Sequence, residues 1–381
     1  MVAVRREGEL VVLRNTLRHL TVCSGFVLAA ACGGDEPSSA TPQAAAALTP
    51  DLVTASVTDD PDDPAIWIHP TDPARSLIIG TNKVAAPNGA LVVFGLDGQI
   101  RQTLAGIDRP NNVDIETGVQ LDGRTVDLAI TTERLQHRLR VFRIAPDGSG
   151  LTDIGAIPVL EGQTGDLSEP MGIGLYTRPS DGALFAIVAP KLGPSTNYLW
   201  QYRLTGDGKG GVTGALVRRF GNFSEVGAEP GEPGEIEAIV VDDALGYVYY
   251  SDERHGIHKW HADPDHADAG RELAVFGLSG YQLDREGLAL YTHPDGTGFL
   301  VSTDQIPGGS VFKLYRREGE AGQPHQHVVV AEATTTADET DGIEVVSAAL
   351  PGFPKGLLVA MNSGPRNFAV FSWDRLFPGR P

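Results

Sequence analysis

Three apolar runs in this 381-residue chain end on a basic residue: "IIGTNK" on Lys83, "LAITTER" on Arg134 and "FAIVAPK" on Lys191. Comparable runs farther along are flanked by acids: Glu237, Asp252, Glu253, Asp284, Glu286, Asp304, Asp341 and Glu344. Asp62 and Asp63 stand ahead of the first run, and Asn111, Asn112 and Asp114 ahead of the second. So many carboxylates facing one place repel one another strongly unless counter-ions intervene. Oxygen ligands without Cys or a cluster of His point to Ca²⁺ before zinc or copper. Basic residues beside carboxylate-held metal make a seat for a phosphate-rich anion. Solvated loop charge on an acidic protein is the plain alternative; against it, position recurs along with charge.

That recurrence defines the elements. One pattern repeats: a polar or acidic cluster, a short apolar strand, a turn, a second strand ending in polar residues, then a third strand. "DDPAIWIHPTDPARSLIIGTNK", "NNVDIETGVQLDGRTVDLAITTER" and "EPMGIGLYTRPSDGALFAIVAPK" are its first three instances. "EIEAIVVDDALGYVYYSDER", "REGLALYTHPDGTGFLVSTDQ" and "DGIEVVSAALPGFPKGLLVAMN" are the rest. With Thr81, Thr131, Ala189, Ser251, Ser302 and Ala360 as equivalents, the spacings are 50, 58, 62, 51 and 58. Six units of about four strands predict an all-β fold, a six-bladed β-propeller in one domain over residues 51–381. High Gly and Pro (46 and 26) and short Val/Ile/Leu runs agree with turn-rich β structure. A large β-sandwich has no reason to repeat six times. In a propeller the start of the first strand and the end of the second meet at one axial end. Twelve segments thus deliver side chains to a single rim.

The first residues follow another logic. Residues 1–31 carry four arginines and then "LTVCSGFVLAAA", too short to span a membrane comfortably, which reads as a signal peptide of lipoprotein type. Cys32 is then the lipidated residue, and residues 32–50, rich in Ser, Pro and Ala, a flexible tether. An exported protein is expected, anchored by lipid on the extracytoplasmic side (periplasmic or cell surface), or secreted if the signal is an ordinary one. Cys23 and Cys32 are the two cysteines, so the folded part holds no disulfide. A net charge of −19 argues against nucleic acid as a partner. A monomer is expected.

"DDPAIWIHP", "TNK", "NNVDI", "IEAIVVDD", "DREGLALY", "ETDGIEV" and "NFAVFSWDRL" resemble the signature segments of the β-propeller phytases, in that family's order, over about residues 55–378. The resemblance implies a calcium-dependent phosphomonoesterase of the 3-phytase kind. It would act on phytate (myo-inositol hexakisphosphate) or its calcium complex, through water activated by several Ca²⁺ ions. Carried over residue by residue, it gives the catalytic Ca²⁺ cluster to Asp62, Glu237, Glu253, Asp284, Glu286 and Asp341. Glu237, Glu253, Asp341 and Lys83 become the catalytic group, and Lys83, Arg134 and Lys191 hold substrate phosphates. Asp59, Asp63, Asn111 and Asp114 fall where the family builds Ca²⁺ sites near the first two blades. The chain departs from the Bacillus-type pattern at Val84, where a second lysine stands, and at Met171, where Tyr stands. It also lacks an extra Asp before "TDGI" and an upstream Glu.

Two other classes remain open at this point: a Ca²⁺-bearing propeller lactonase or esterase, and a non-catalytic surface lipoprotein that binds a ligand on the rim. A neutral ring has little use for three cations. "ERHGIHKW" (253–260) is similar to the histidine acid phosphatase motif but lacks its second Arg and its Pro. On a strand His258 faces away from His255 and His261, which speaks against a metal triad. No GxSxG elbow occurs, and "DPDHADAG" reads as a surface turn.

Overall fold

The computed structural model describes residues 46–224 and 235–380. The expected signal peptide, Cys32 and most of the expected tether lie outside the described residues. Twenty-four strands among those described form six four-stranded antiparallel sheets. β1 (Leu52–Val53) comes first in the chain. The first sheet is β2 (Pro61–Trp67), β3 (Leu77–Asn82), β4 (Ala90–Gly95) and β5 (Ile100–Ala105). The second is β6 (Pro110–Leu121), β7 (Arg124–Glu133), β8 (Arg138–Ile144) and β9 (Leu151–Pro158). The third is β10 (Pro170–Thr177), β11 (Leu184–Pro190), β12 (Thr196–Gly206) and β13 (Val212–Asn222). The fourth is β14 (Ile239–Asp242), β15 (Tyr247–Asp252), β16 (Gly256–His261) and β17 (Ala274–Phe276). The fifth is β18 (Leu288–Thr292), β19 (Gly298–Ile306), β20 (Gly309–Arg316) and β21 (Val329–Thr335). β22 (Ile343–Val346), β23 (Leu357–Asn362) and β24 (Asn367–Ser372) begin the sixth. The first strand of each sheet touches its two counterparts, β2–β6–β10–β14–β18–β22 and back to β2, so six blades circle one axis. This is the expected six-bladed propeller.

Alternation along each strand builds the core. Ile66, Ile78, Val92 and Phe94 of the first blade pack on Leu357, Val359 and Phe368 of the sixth. Their chain neighbours Trp67, Leu77, Ile79 and Val93 pack on Ala129, Phe142 and Ile144 of the second. Both faces of a blade are therefore buried, which is why the inner strands read as unbroken apolar runs rather than alternating ones. The same division recurs at the other four blade junctions. Each core residue removes apolar surface from water at about 25 cal/mol per Å². The outermost strands have one free face: β5 is exposed at four positions and buried at none. Asp97-Gly98 shows how a unit turns: Gly98 has φ 74° and its N–H donates to Gly95 O at 2.9 Å, while Asp97 Oδ1 accepts from Gln99 N at 3.1 Å. Only glycine enters that left-handed region without cost.

The sixth blade is completed from the other end of the chain. β1 is its outermost strand, pairing Leu52 with Val370 and Val53 with Ala369. Asp51 N donates to Val370 O at 2.8 Å, Thr54 N to Phe368 O at 2.9 Å, and Phe368 N to Thr54 Oγ1 at 3.0 Å. Arg375, in the terminal helix α1 (Trp373–Leu376), donates to Asp51 Oδ1 at 2.5 Å. The chain also engages the propeller ahead of residue 51, since Leu48 N donates to Thr334 O at 2.8 Å. Closure of this kind ties the ring and covers the β24 edge.

A chain beginning at Ala55 loses these pairings, each worth about 1 kcal/mol. The expected result is a lower melting temperature and self-association through the bared β24 edge, read by calorimetry and size-exclusion chromatography. A truncated chain that melts like the full one and stays monomeric would remove closure as a source of stability.

Candidate active site

One backbone hydrogen bond recurs in every blade and fixes what each can present. The N–H of the residue at or just beyond the end of the second strand donates to a carbonyl ahead of the first. The pairs are Lys83 to Asp60 (2.7 Å), Arg134 to Arg109 (3.1 Å) and Lys191 to Glu169 (2.8 Å). Glu253 to Glu235 (3.4 Å), Gln305 to Asp284 (3.3 Å) and Ser363 to Asp338 (3.0 Å) complete the ring. Lys83, Arg134 and Lys191 are therefore the same position of three consecutive blades, and Glu253 holds that position in the fourth.

The residue one step earlier has the opposite task, because side chains alternate along a strand. Asn82, Glu133, Asp252, Asp304 and Asn362 each accept a backbone N–H from a rim loop. The donors are Asp60 (2.9 Å), Asp108 (2.9 Å), Ser224 (2.6 Å), Gln282 (2.8 Å) and Asp338 (3.1 Å). Asp252 and Asp304, expected on the rim with the other acids, thus face the loops. Asp304 also accepts from Leu283 N at 3.2 Å, and the two carboxylates lie 3.8 Å from His258 and 3.6 Å from Lys313 respectively.

Bulges aim the inner strands. In blades one to three the register slips by one residue at the same place, between Pro61 and Pro64, Pro110 and Val113, and Pro170 and Ile173. An extra residue re-aims side chains, and here it lets Asp62 and Asp63 both turn inward. In blades four to six, Glu235, Glu237, Asp284, Glu286 and Asp341 sit ahead of the paired strands. Close backbone approach helps: a Cβ on Gly172 would lie 2.2 Å from Glu237 O.

The side chains converge on Asn111 and Lys83. Asn111 is fully buried and its amide donates to Asp62 Oδ2 at 3.1 Å and to Glu237 Oε1. Its Oδ1 accepts from Arg134 Nη1 at 3.2 Å. Lys83 Nζ pairs with Asp62 and lies 3.7 Å from Asp341 Oδ2, and Gln305 Nε2 donates to Asp341 Oδ1 at 3.0 Å. Glu237 and Glu253 each keep 7% exposure, and one oxygen of each lies within 4.8 Å of the other and of one oxygen of Glu235. Asp284 lies 3.7 Å from Arg254 Nε. Deeper in the channel, lined by all six inner strands, are Asp63, Asp114, Glu286 and Glu344. Asp63 accepts from Val113 N at 2.9 Å and Asp114 from Leu175 N at 2.7 Å. Asp59 is held instead by Asn82, whose Nδ2 lies 3.5 Å from its Oδ2.

Two carboxylates here escaped sequence reading: Glu169, whose Oε2 pairs with Arg134 Nε at 2.9 Å, and Glu235, whose Oε1 pairs with Lys191 Nζ at 2.7 Å. Each precedes an inner strand as Asp60 does, so the repeat itself carried the signal. Met171 is buried, and its carbonyl accepts from Thr132 Oγ1 at 2.8 Å.

Burial dominates the electrostatics. It pushes Asp62 and Glu237 up to about 7 and Asp341 to about 6, with the Lys83 ammonium opposing the rise. Glu253 and Glu286 are driven well above the usual range by burial, then by neighbouring carboxylates, led by Glu237 for Glu253 and by Glu253 for Glu286. Burial alone would lower Lys83, but Asp62, Glu237 and Asp341 hold it well above its ordinary value. Burial thus favours the protonated carboxylates at a site whose chemistry suits cations. The donor set fits a hard cation: carboxylates without sulfur or imidazole, and Glu253 Oε1 buried with no hydrogen-bond partner.

A family model described as Phytase matches residues 17–376. The chain belongs to the phytase family. It is similar to the 3-phytase of Bacillus subtilis (strain 168), 31% identical over 337 residues, which cover 84% of this chain and 81% of that protein. Solved structures align more loosely. BBS1N in its complex with ARL6DN gives a TM-score of 0.43 at 9% identity, over 81% of this chain and 80% of that one. A functionally unknown protein of Desulfotomaculum acetoxidans DSM 771 gives 0.41 at 17%, over 71% and 75%.

With chelator present, the raised carboxylates set the sign of the pH dependence. A folded carboxylate pKa above its unfolded value contributes stability that is full below about pH 4 and lost as pH rises through the folded value. For Asp62 and Glu237 that window closes near pH 7. The metal-free protein should therefore melt at a lower temperature at pH 8 than at pH 5, with a slope approaching 1.4 kcal/mol per pH unit for each such group. Calorimetry across that range checks it; a flat profile would mean that these groups are already ionised in the folded protein.

Proposed function

We propose that the protein is a calcium-dependent phytase, a phosphomonoesterase that releases phosphate from myo-inositol hexakisphosphate. The observation that carries this is the division of the rim. Lys83, Arg134 and Lys191 occupy equivalent positions of three consecutive blades, facing the carboxylates of the others. A polyphosphate spans several such seats at once, whereas a neutral ester or lactone carries no charge for three cations to bind. Asp62, Glu237, Glu253, Asp284, Glu286 and Asp341 would hold Ca²⁺ ions, with Asp63, Asn111 and Asp114 nearer the channel. Bound there, Ca²⁺ supplies positive charge to the phosphoryl oxygens and activates the attacking water.

The chain's own residues do the rest. Arg134 and Lys191 donate charge-assisted hydrogen bonds to phosphates, and Arg134 is pre-aimed by Glu169 and Asn111. Lys83 has two tasks, since its ammonium also neutralises Asp62 and Asp341. In the overall change one P–O ester bond is broken and one formed to water's oxygen, giving the inositol hydroxyl and inorganic phosphate. The same reading includes export, a lipid anchor through Cys32 and a monomeric state; the signal-like N-terminal sequence supports the first two.

Lys191→Ala and Glu237→Ala should fail differently on phytate. Loss of a charge-assisted hydrogen bond costs about 1.5–3 kcal/mol, roughly ten- to a hundredfold in kcat/KM, with bound Ca²⁺ unchanged. Loss of the buried carboxylate should collapse kcat and lower bound Ca²⁺ measured by atomic absorption. Wild-type turnover by Lys191→Ala would displace the phosphate seat, and full activity with full Ca²⁺ in Glu237→Ala would make the cluster surface charge.

Ca²⁺ should raise the melting temperature more at pH 8 than at pH 5, because protons compete for the same oxygens. An equal rise at both would place the ions elsewhere.

A further inference from the structure

Glu235 has no task in the reading above, yet it stands between its two halves. Its Oε1 accepts from Lys191 Nζ at 2.7 Å, and its carboxylate shares a 4.8 Å cluster with Glu237 and Glu253. The Lys191 pair is partly open, with side-chain exposures of 29% and 25%. Within the cluster Glu253 Oε1 is buried and has no hydrogen-bond partner, an oxygen placed for a cation that a proton donor does not meet. Glu235 therefore has two possible partners, an ammonium on one side and a cation at the carboxylates on the other. While it neutralises Lys191, a phosphate arriving there meets a carboxylate already seated.

We propose that Glu235 couples cation binding to the Lys191 phosphate seat: without cation it occupies Lys191, and with cation it is drawn to Glu237 and Glu253 and leaves the ammonium free. The inference rests on the phytase reading and adds an order to it, cation before phosphate. Coupling of this kind is reciprocal, so an anion at Lys191 also tightens the cation. Glu169 supplies an internal contrast. It pairs with Arg134 as Glu235 pairs with Lys191, but among the described residues it belongs to no such carboxylate cluster.

The test uses the full chain and myo-inositol hexakissulfate, an anion of similar charge with no phosphoryl group to lose, titrated calorimetrically in EDTA and in Ca²⁺. In EDTA, Glu235→Gln should bind it roughly three- to tenfold more tightly than wild type, the effect of removing a partly exposed competing ion pair. In Ca²⁺ the two should agree within about twofold, so that the gain from Ca²⁺ shrinks in the variant. Glu169→Gln should leave that gain unchanged. Lys191→Met should cost little in EDTA and about tenfold in Ca²⁺, an independent reading should Glu235→Gln fold poorly. Equal affinities of wild type and Glu235→Gln in EDTA, the same loss of gain in both glutamine variants, or an equal cost of Lys191→Met in the two conditions would each overturn the proposal. Phosphate release from phytate by the wild type separates the failures: release with an unaltered gain sinks the coupling alone, and no release sinks the phytase reading beneath it.

Discussion

Like charges brought out of water at one end of a channel dominate this molecule. Asp62, Glu237 and Glu253 retain at most 7% exposure, and their mutual repulsion in a low-dielectric setting is far larger than it would be on a wet surface. Lys83 and the Asn111 amide offset part of it; burial raises the acids, and Asp62, Glu237 and Asp341 raise the lysine. A buried group of this kind is tolerated only where a rigid surround leaves it nowhere else to go. The propeller supplies that surround, because each blade is wedged between two neighbours on both faces.

The rim works through alternation. In five of the six blades a residue at or near the end of the second strand fastens a rim loop, and in the first four blades the position after it bears the charge. Asp252 and Glu253 are adjacent and both acidic, but one accepts a loop N–H while the other joins the carboxylate cluster. A one-residue slip in that strand would exchange the two roles. The bulges at Pro61, Pro110 and Pro170 solve the converse problem, turning consecutive residues of an inner strand toward one axis.

Carboxylates also govern the cations. Arg134 is held by Glu169 and Asn111, Lys191 by Glu235, and Lys83 by Asp62 and Asp341. These contacts pre-aim the side chains and spare ordering entropy when an anion arrives, and they also compete with that anion. Which effect prevails depends on what else can take the carboxylate. At Glu235 the answer is a cation, so one residue links two kinds of ligand.

The repeat, the count of blades and the presence of Lys83, Arg134 and Lys191 at one kind of position were legible in the sequence. Each blade obeys the same local rules of strand period and turn chemistry, and local rules leave a visible pattern. Family segments carried Asp62, Glu237, Glu253 and Asp341 as well. The pattern was silent on which of two neighbouring acids faces the mouth, and it placed Asp252 and Asp304 with the rest. It was silent too on Glu169 and Glu235, whose meaning comes from the cation of the preceding blade, and on β1, which closes a blade more than 300 residues away in sequence. Side-chain direction at a bulge, pairing between blades and closure of a ring are set by contacts between distant parts of the chain. Only the assembled propeller decides them, because only there do six strand ends share one axis.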